Sequence, residues 1–116
     1  MKMIIAIIQP TKLSAVREAL VKIGVERMTV CDAQGFGRQR GHTELYRGVE
    51  YKTQLLRKVA LEIAVNDDFL DRTIDTIMSV SRTGADGNIG DGKIFVLPLD
   101  GVIRIGGVAT GPEAVN

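Results

Sequence analysis

The chain has 116 residues, 45% of them apolar and 4% aromatic, with a formal charge of +1. That is the length of a single domain, residues 1–116, with an aliphatic core, and the near-neutral charge gives no electrostatic case for nucleic acid or an anionic membrane. Cys31 is the only cysteine, so an internal disulfide framework is excluded and a reducing, cytoplasmic setting is expected.

Residues 3–8 form a continuous apolar run rich in β-branched side chains. The run predicts a strand buried on both faces, and it is too short to cross a membrane. Pro10 ends it. Leu13, Val16, Ala19, Leu20 and Ile23 then recur at helical spacing, with Thr11 as the expected cap and Gly24 as the stop. A second strand is expected over 28–33.

From 35 to 58 the pattern has neither helical nor strand periodicity. This stretch holds Arg38, Arg40, Arg47, Lys52, Arg57 and Lys58, both tyrosines (Tyr46 and Tyr51) and the only histidine, His42. Connections this long in compact domains either bind something or are disordered. Disorder alone would not need Leu45, the tyrosines, Leu55 and Leu56, so the stretch reads as a protruding loop, about 37–57, that meets a partner.

Residues 59–65 alternate cleanly: Val59, Leu61, Ile63 and Val65 share one face, and Ala60, Glu62 and Ala64 share the other. A glutamate between two small residues implies a face that does not simply meet water. Asn66 is the expected cap of the next helix, with Asp67 and Asp68 suited to its positive end. Leu70, Ile74, Ile77 and Met78 make its apolar stripe, and Gly84 is the expected stop. A glycine-rich stretch, 83–92, leads into a strand at 94–97, and 102–105 has the composition of one more short strand.

The order is strand–helix–strand, long loop, strand–helix–strand. That duplication predicts an α+β, ferredoxin-like βαββαβ fold: an antiparallel sheet with two helices on one face. Two helices cover only one face, yet the strands at 3–8 and 94–97 are apolar on both. The uncovered face is expected to pack against another copy of the chain.

Gly90, Asp91, Gly92 and Lys93 are the best candidates for phosphate contact, because glycines let backbone N–H groups approach an anion and a lysine adds charge. The alternative is a β-turn entering the last strand. Gly35, Phe36 and Gly37 offer a second close-approach site or a strand end. Arg104 is a phosphate candidate or a surface arginine. His42 reads as solvated and Cys31 as pointing into the core. No arrangement for nucleophilic catalysis is present, so the chain is not expected to be an enzyme.

With these stretches laid out, the chain resembles the P-II nitrogen-regulatory signal-transduction family over nearly its whole length. The resemblance rests on residues 35–48, on Glu50 and Tyr51, and on 89–96, with further matches at 16–20, 28–30 and 102–105. It implies a homotrimer of ferredoxin-like subunits with ATP or ADP in the clefts between them. The nucleotide residues would be Ile7, Thr29, Gly35, Phe36, Gly37, Arg38, Glu62, Ala64, Gly90, Asp91, Gly92, Lys93 and Arg104. It further implies that 2-oxoglutarate chelates magnesium together with the ATP phosphates. Gln39 would be a magnesium ligand, Gly37 and Gln39 would contact the acid, and Lys58 would pair with one of its carboxylates. Tyr51 matches a loop tyrosine that is uridylylated in some members. Arg47 matches the arginine that enters an ammonium-transporter pore, and Tyr46 and Tyr51 share that target-binding loop. Expected partners are an ammonium transporter, a uridylyltransferase or other nitrogen-metabolism proteins.

The chain departs from the family pattern in three places. Val49 replaces a small loop residue. The segment between Gly84 and Gly90 is longer, with Asn88 in place of a lysine. Gly106 stands where a second phosphate-binding arginine is common. A divergent paralogue sensing another small anion is the alternative function. A ferredoxin-like hydrolase would need a base that the sequence lacks. A nucleic-acid module would need sheet aromatics, and Phe95 alone falls in an expected strand.

Overall fold

The structure, a computed structural model, describes residues 1–37 and 54–115. Strand β1 (Lys2–Ile8) is followed by a 3-10 turn (Pro10–Lys12), helix α1 (Leu13–Lys22), β2 (Thr29–Gly37), β3 (Gln54–Val65), α2 (Asp67–Ser81), β4 (Gly92–Pro98) and a short helix α3 (Pro112–Val115). The strands form one antiparallel sheet in the order β2-β3-β1-β4. This is the expected ferredoxin-like plan.

Register fixes the faces. Ile4 pairs with Ile63, Ala6 with Leu61 and Ile8 with Val59. All six are at most 5% exposed and form one core with Val16, Leu20 and Ile77 from the helices. Alternate residues point the other way, so Met3, Ile5, Ile7, Ala60, Glu62 and Ala64 line the opposite face. Among the described residues no helix covers them, and they remain half-buried. On the edge strand β4, Phe95 and Leu97 continue that face at 49% and 42% exposure.

Several local expectations are corrected. Thr11 does not cap α1. Pro10, whose fixed φ suits a first helical position, starts a 3-10 turn, and Lys12 precedes the helix without a side-chain cap. The end of α1 is as expected, with the Val25 N–H on the Leu20 carbonyl (2.9 Å) and the Gly24 N–H on that of Val21 (3.0 Å), a Schellman pairing. Asn66 occupies the cap position of α2, but its amide donates to the Pro112 carbonyl at 3.2 Å. Asp67 binds the N-terminal amine at 3.0 Å. Helix α2 stops at Ser81 because Arg82 turns extended, before Gly84 is reached. Residues 102–105 make no strand, only an isolated bridge from Ile103 to Thr110.

The larger correction concerns the long connection. Its two ends are strand: 35–37 belong to β2 and 54–58 to β3, paired from Gly35–Leu56 to Gly37–Gln54. This ribbon runs past the helices, so neither side needs an apolar pattern and backbone hydrogen bonding carries it. Arg38, Gln39, Arg40, His42, Tyr46, Arg47, Val49 and Tyr51 lie outside the described residues, as does the expected protrusion itself. Among the described residues no helix is long and apolar enough to cross a membrane.

Candidate functional site

The candidate site is built where β1 ends and β4 begins. Residues 88–91 close a turn, with the Asp91 N–H donating to the Asn88 carbonyl at 3.1 Å. Gly90 takes a φ of 98° as its third residue, the signature of a type II turn. A β-turn does enter the last strand, as the sequence allowed, but over 88–91, with Gly92 and Lys93 already in β4. Gly92 is required for a different reason: a Cβ there would lie 1.8 Å from the Ile7 carbonyl oxygen. The close approach it permits is to β1 and not to a ligand.

Asp91 organises the preceding segment. Its carboxylate accepts from the Thr83 hydroxyl (2.6 Å), the Thr83 N–H (2.8 Å) and the Asn88 N–H (2.8 Å). These bonds favour the ionised form and lower its pKa from 3.8 to about 2. The longer segment is thus folded back onto the turn by one side chain.

The Gly90 carbonyl faces the sheet. It accepts from the Lys58 ammonium and from the Gln9 amide, the latter at 2.6 Å. Lys58 is half-buried at the base of the β2–β3 ribbon. Desolvation pulls its pKa down, and the Asp91 charge opposes that shift. Lys93 pairs across the sheet with Ile7, Ile7 with Ala60, and Ala60 with Cys31. Lys93 and Lys58 thus share the open face, two rows of the sheet apart.

The predicted residues fall into separate groups. Ile7, Lys58, Gly90, Asp91, Gly92 and Lys93 meet at one end of the sheet. Thr29 and Glu62 are cross-strand partners on the middle row, and Ala64 lies two residues further along. Gly35 continues the open face beyond Lys58, opposite Leu56. Phe36 does not: it alternates to the other side and is 78% exposed, so only its backbone borders the site. Arg104 lies on the tail that leaves the far end of the sheet. There the Leu99 N–H meets the Met1 carbonyl, and Arg104 donates to the carbonyls of Ala109 and Glu113. The length of β1, about 20 Å for seven residues, separates the two ends. Asn66, which follows Val65 opposite Lys2, donates to the Pro112 carbonyl, so the tail segment that Arg104 bonds is held at the end of the sheet away from the Gly90 turn.

Cys31 is corrected as well. It is exposed, on the open face, with its thiol 3.7 Å from the Glu62 carboxylate. A groove of about 720 Å³ lies on the other side of β4, between Ile74, Ile77 and Met78 of α2 and Ile89, Ile94 and Val96. It lacks Lys58, Glu62 and Ala64 but is also lined by Ile7, Asp91, Gly92 and Lys93, so it adjoins the open-face cluster at the Gly90 end of the sheet. Sequence reasoning missed Gln9 and Thr83. The only signal for Gln9 was an amide set directly between a buried strand and a proline.

The family model described as nitrogen regulatory protein P-II matches residues 1–107. The chain is 52% identical over 115 residues to nitrogen regulatory protein GlnK1 of Methanosarcina mazei, covering 99% of this chain and 97% of that protein. It is 57% identical over 105 residues to nitrogen regulatory protein P-II of Klebsiella oxytoca and to nitrogen regulatory protein P-II 1 of Escherichia coli K12. Each match covers 90% of this chain and 91% of the relative.

Proposed function

The chain belongs to the P-II family of nitrogen regulatory proteins, and we propose that it is a cytoplasmic homotrimer that senses ATP or ADP together with 2-oxoglutarate. Members of this family regulate nitrogen metabolism as signalling proteins and not as catalysts.

One observation carries the reading. The candidate nucleotide residues are divided between two ends of a single subunit, with Lys58, Lys93 and the Gly90 turn at one and Arg104 at the other. A second copy packed on the open face would bring its own far end to the Gly90 end of the first. The apolar side chains that invite such packing are Ile5, Phe95 and Leu97 on the sheet and Ile103, Ile105 and Val108 on the tail. The last three are 78% exposed or more.

In this reading the nucleotide lies along the open face, past Ile7, Thr29, Glu62 and Ala64, with its phosphates near Gly90–Lys93, the backbone of Gly35–Gly37, Arg38 and Arg104. Among the described residues no group of three or more carboxylates, histidines or cysteines could hold a metal ion. Magnesium would therefore be held chiefly by ligand oxygens, with Gln39 adding one, which suits an ion that keeps phosphate and water oxygens. Lys58 would pair with a carboxylate of 2-oxoglutarate. Because Lys58 stands at the base of the ribbon that leads into residues 38–53, occupation of the site would bias that segment. Targets would read the bias as a population shift, through Tyr46, Arg47 and Tyr51. The partners proposed are an ammonium transporter and a uridylyltransferase that modifies Tyr51, or other nitrogen-metabolism proteins.

The longer segment 83–90, folded onto Asp91, favours a second reading in which a paralogue takes another small anion at the same lysine. Calorimetry separates the two. The first predicts that ATP binds alone and that 2-oxoglutarate binds only with magnesium and ATP present. No heat from the acid under any condition, with ATP still bound, would favour the second.

A further inference from the structure

We propose that the Gly90 carbonyl is a shared latch point, on which Gln9 keeps the glycine turn closed when Lys58 leaves to pair with an anionic ligand. The ligand half of this inference rests on the acid-binding role read for Lys58.

A carbonyl oxygen has two lone pairs and accommodates both donors at once. The structure shows that double occupancy, with Gln9, just after β1, and Lys58, on β3, converging on one oxygen. The two donors differ in what frees them. Gln9 is fixed at both ends. Its own carbonyl accepts from the Lys12 N–H at 3.0 Å, closing the 3-10 turn, while its amide reaches Gly90 at 2.6 Å. Lys58 has a long flexible stem and carries the charge, so an incoming anion recruits the lysine and not the amide.

Were Lys58 the sole donor, its departure would leave the half-buried Gly90 carbonyl unsatisfied, and anion binding would bear that penalty. Gln9 removes it. The turn then stays in place, and with it the Asp91 bonds to Thr83 and Asn88, while the lysine changes partner. Gln9 is thus a positioning residue, which lowers the cost of the lysine's movement without touching the ligand.

The first test needs no ligand. Hydrogen exchange of the Asn88 and Asp91 amides, both bonded within the turn, reports whether the turn is closed. Gln9→Met and Lys58→Met should each change that exchange by no more than about twofold, because the remaining donor suffices. The double variant should accelerate it by about tenfold or more, the scale of one orphaned acceptor. Gln9→Lys combined with Lys58→Met, which keeps a donor at position 9, should stay protected where the double methionine variant is not. Additive effects would overturn the shared latch.

The second test is calorimetric. Gln9→Met should weaken 2-oxoglutarate at saturating magnesium and ATP by about tenfold, and ATP alone by much less. Equal acid affinity in wild type and Gln9→Met would overturn the coupling to the ligand. A wild type that binds no acid would contradict the reading of Lys58 and the ligand half of the latch, while the exchange cycle would still decide its ligand-free half.

Discussion

Both faces of the sheet carry aliphatic side chains, but in different surroundings. On one, Ile4, Ala6, Leu61 and Ile63 are fully buried under α1 and α2. On the other, Met3, Ile5, Ile7, Ala60 and Ala64 are only half-buried, and Phe95 and Leu97 are open. The first face holds the subunit together. The second carries Lys58, Glu62 and Lys93 of the candidate site and also the apolar surface on which assembly would rest. An apolar side chain therefore does different work on the two faces, and substitutions tell them apart.

The largest effect should come from the covered face. Ile63→Ala should destabilise the folded chain by about 2–5 kcal/mol, since removing a buried aliphatic side chain leaves a cavity. Denaturant unfolding measures this. An effect as small as that of Ala60→Gly on the open face would break the distinction.

On the open face, Phe95→Asp should act on assembly. A half-exposed ring contributes little within one chain, but its burial against a second copy would contribute up to about 1.5–3 kcal/mol per site. Light scattering at micromolar concentration should show a trimer for wild type and smaller species for the variant, with circular dichroism unchanged. Wild type that scatters as a monomer would remove the shared sites altogether.

Lys58→Met should weaken 2-oxoglutarate by about 1.5–3 kcal/mol, the range for a hydrogen bond to a charged group, and ATP by much less. Unaltered acid affinity would show that the open-face lysine serves only the Gly90 carbonyl.

The smallest effect concerns Asp91. Its pKa in the folded chain is lowered from 3.8 to about 2. The stability it contributes is complete above the ordinary carboxylate value and is lost as pH falls through about 2. Much of the group is in water, so roughly 1 kcal/mol is expected after solvent screening. Wild type should lose thermal stability across that window, and Asp91→Asn should show a flatter profile there. Parallel profiles would mean that the three bonds to the carboxylate do not hold the 83–91 segment.

The core was legible because its signals are strong. Val59, Leu61, Ile63 and Val65 alternate without a break, and their buried register followed directly. The open face was legible from Glu62 set between Ala60 and Ala64. What failed lacked a packing signature. Residues 35–37 and 54–58 form a ribbon beyond the helices, where no face is buried and apolar periodicity has no reason to appear. Cys31 was placed inside by its residue type, yet register puts it opposite Ala60 on the open face. The short tail helix Pro112–Val115 and the isolated bridge at Ile103 are held by a few hydrogen bonds, among them Asn66 and Arg104 on the carbonyls of Pro112 and Glu113, that no sequence pattern announces. Within the site, the glycine motif was found, but its reasons were mixed: Gly90 serves a turn and Gly92 serves strand pairing. Gln9 and Thr83 escaped notice because one polar residue beside a strand carries no spacing signal.

The central claim is that the two ends of one subunit meet across copies, and a mixed oligomer tests it directly. Lys93→Ala impairs one end of the subunit and Arg104→Ala the other, so each variant alone should bind ATP weakly. Refolded together, they should recover part of the wild-type binding, because some clefts then pair an intact Lys93 with an intact Arg104. Mixed oligomers that form but recover no binding, while wild type binds normally, would contradict a nucleotide site shared between chains.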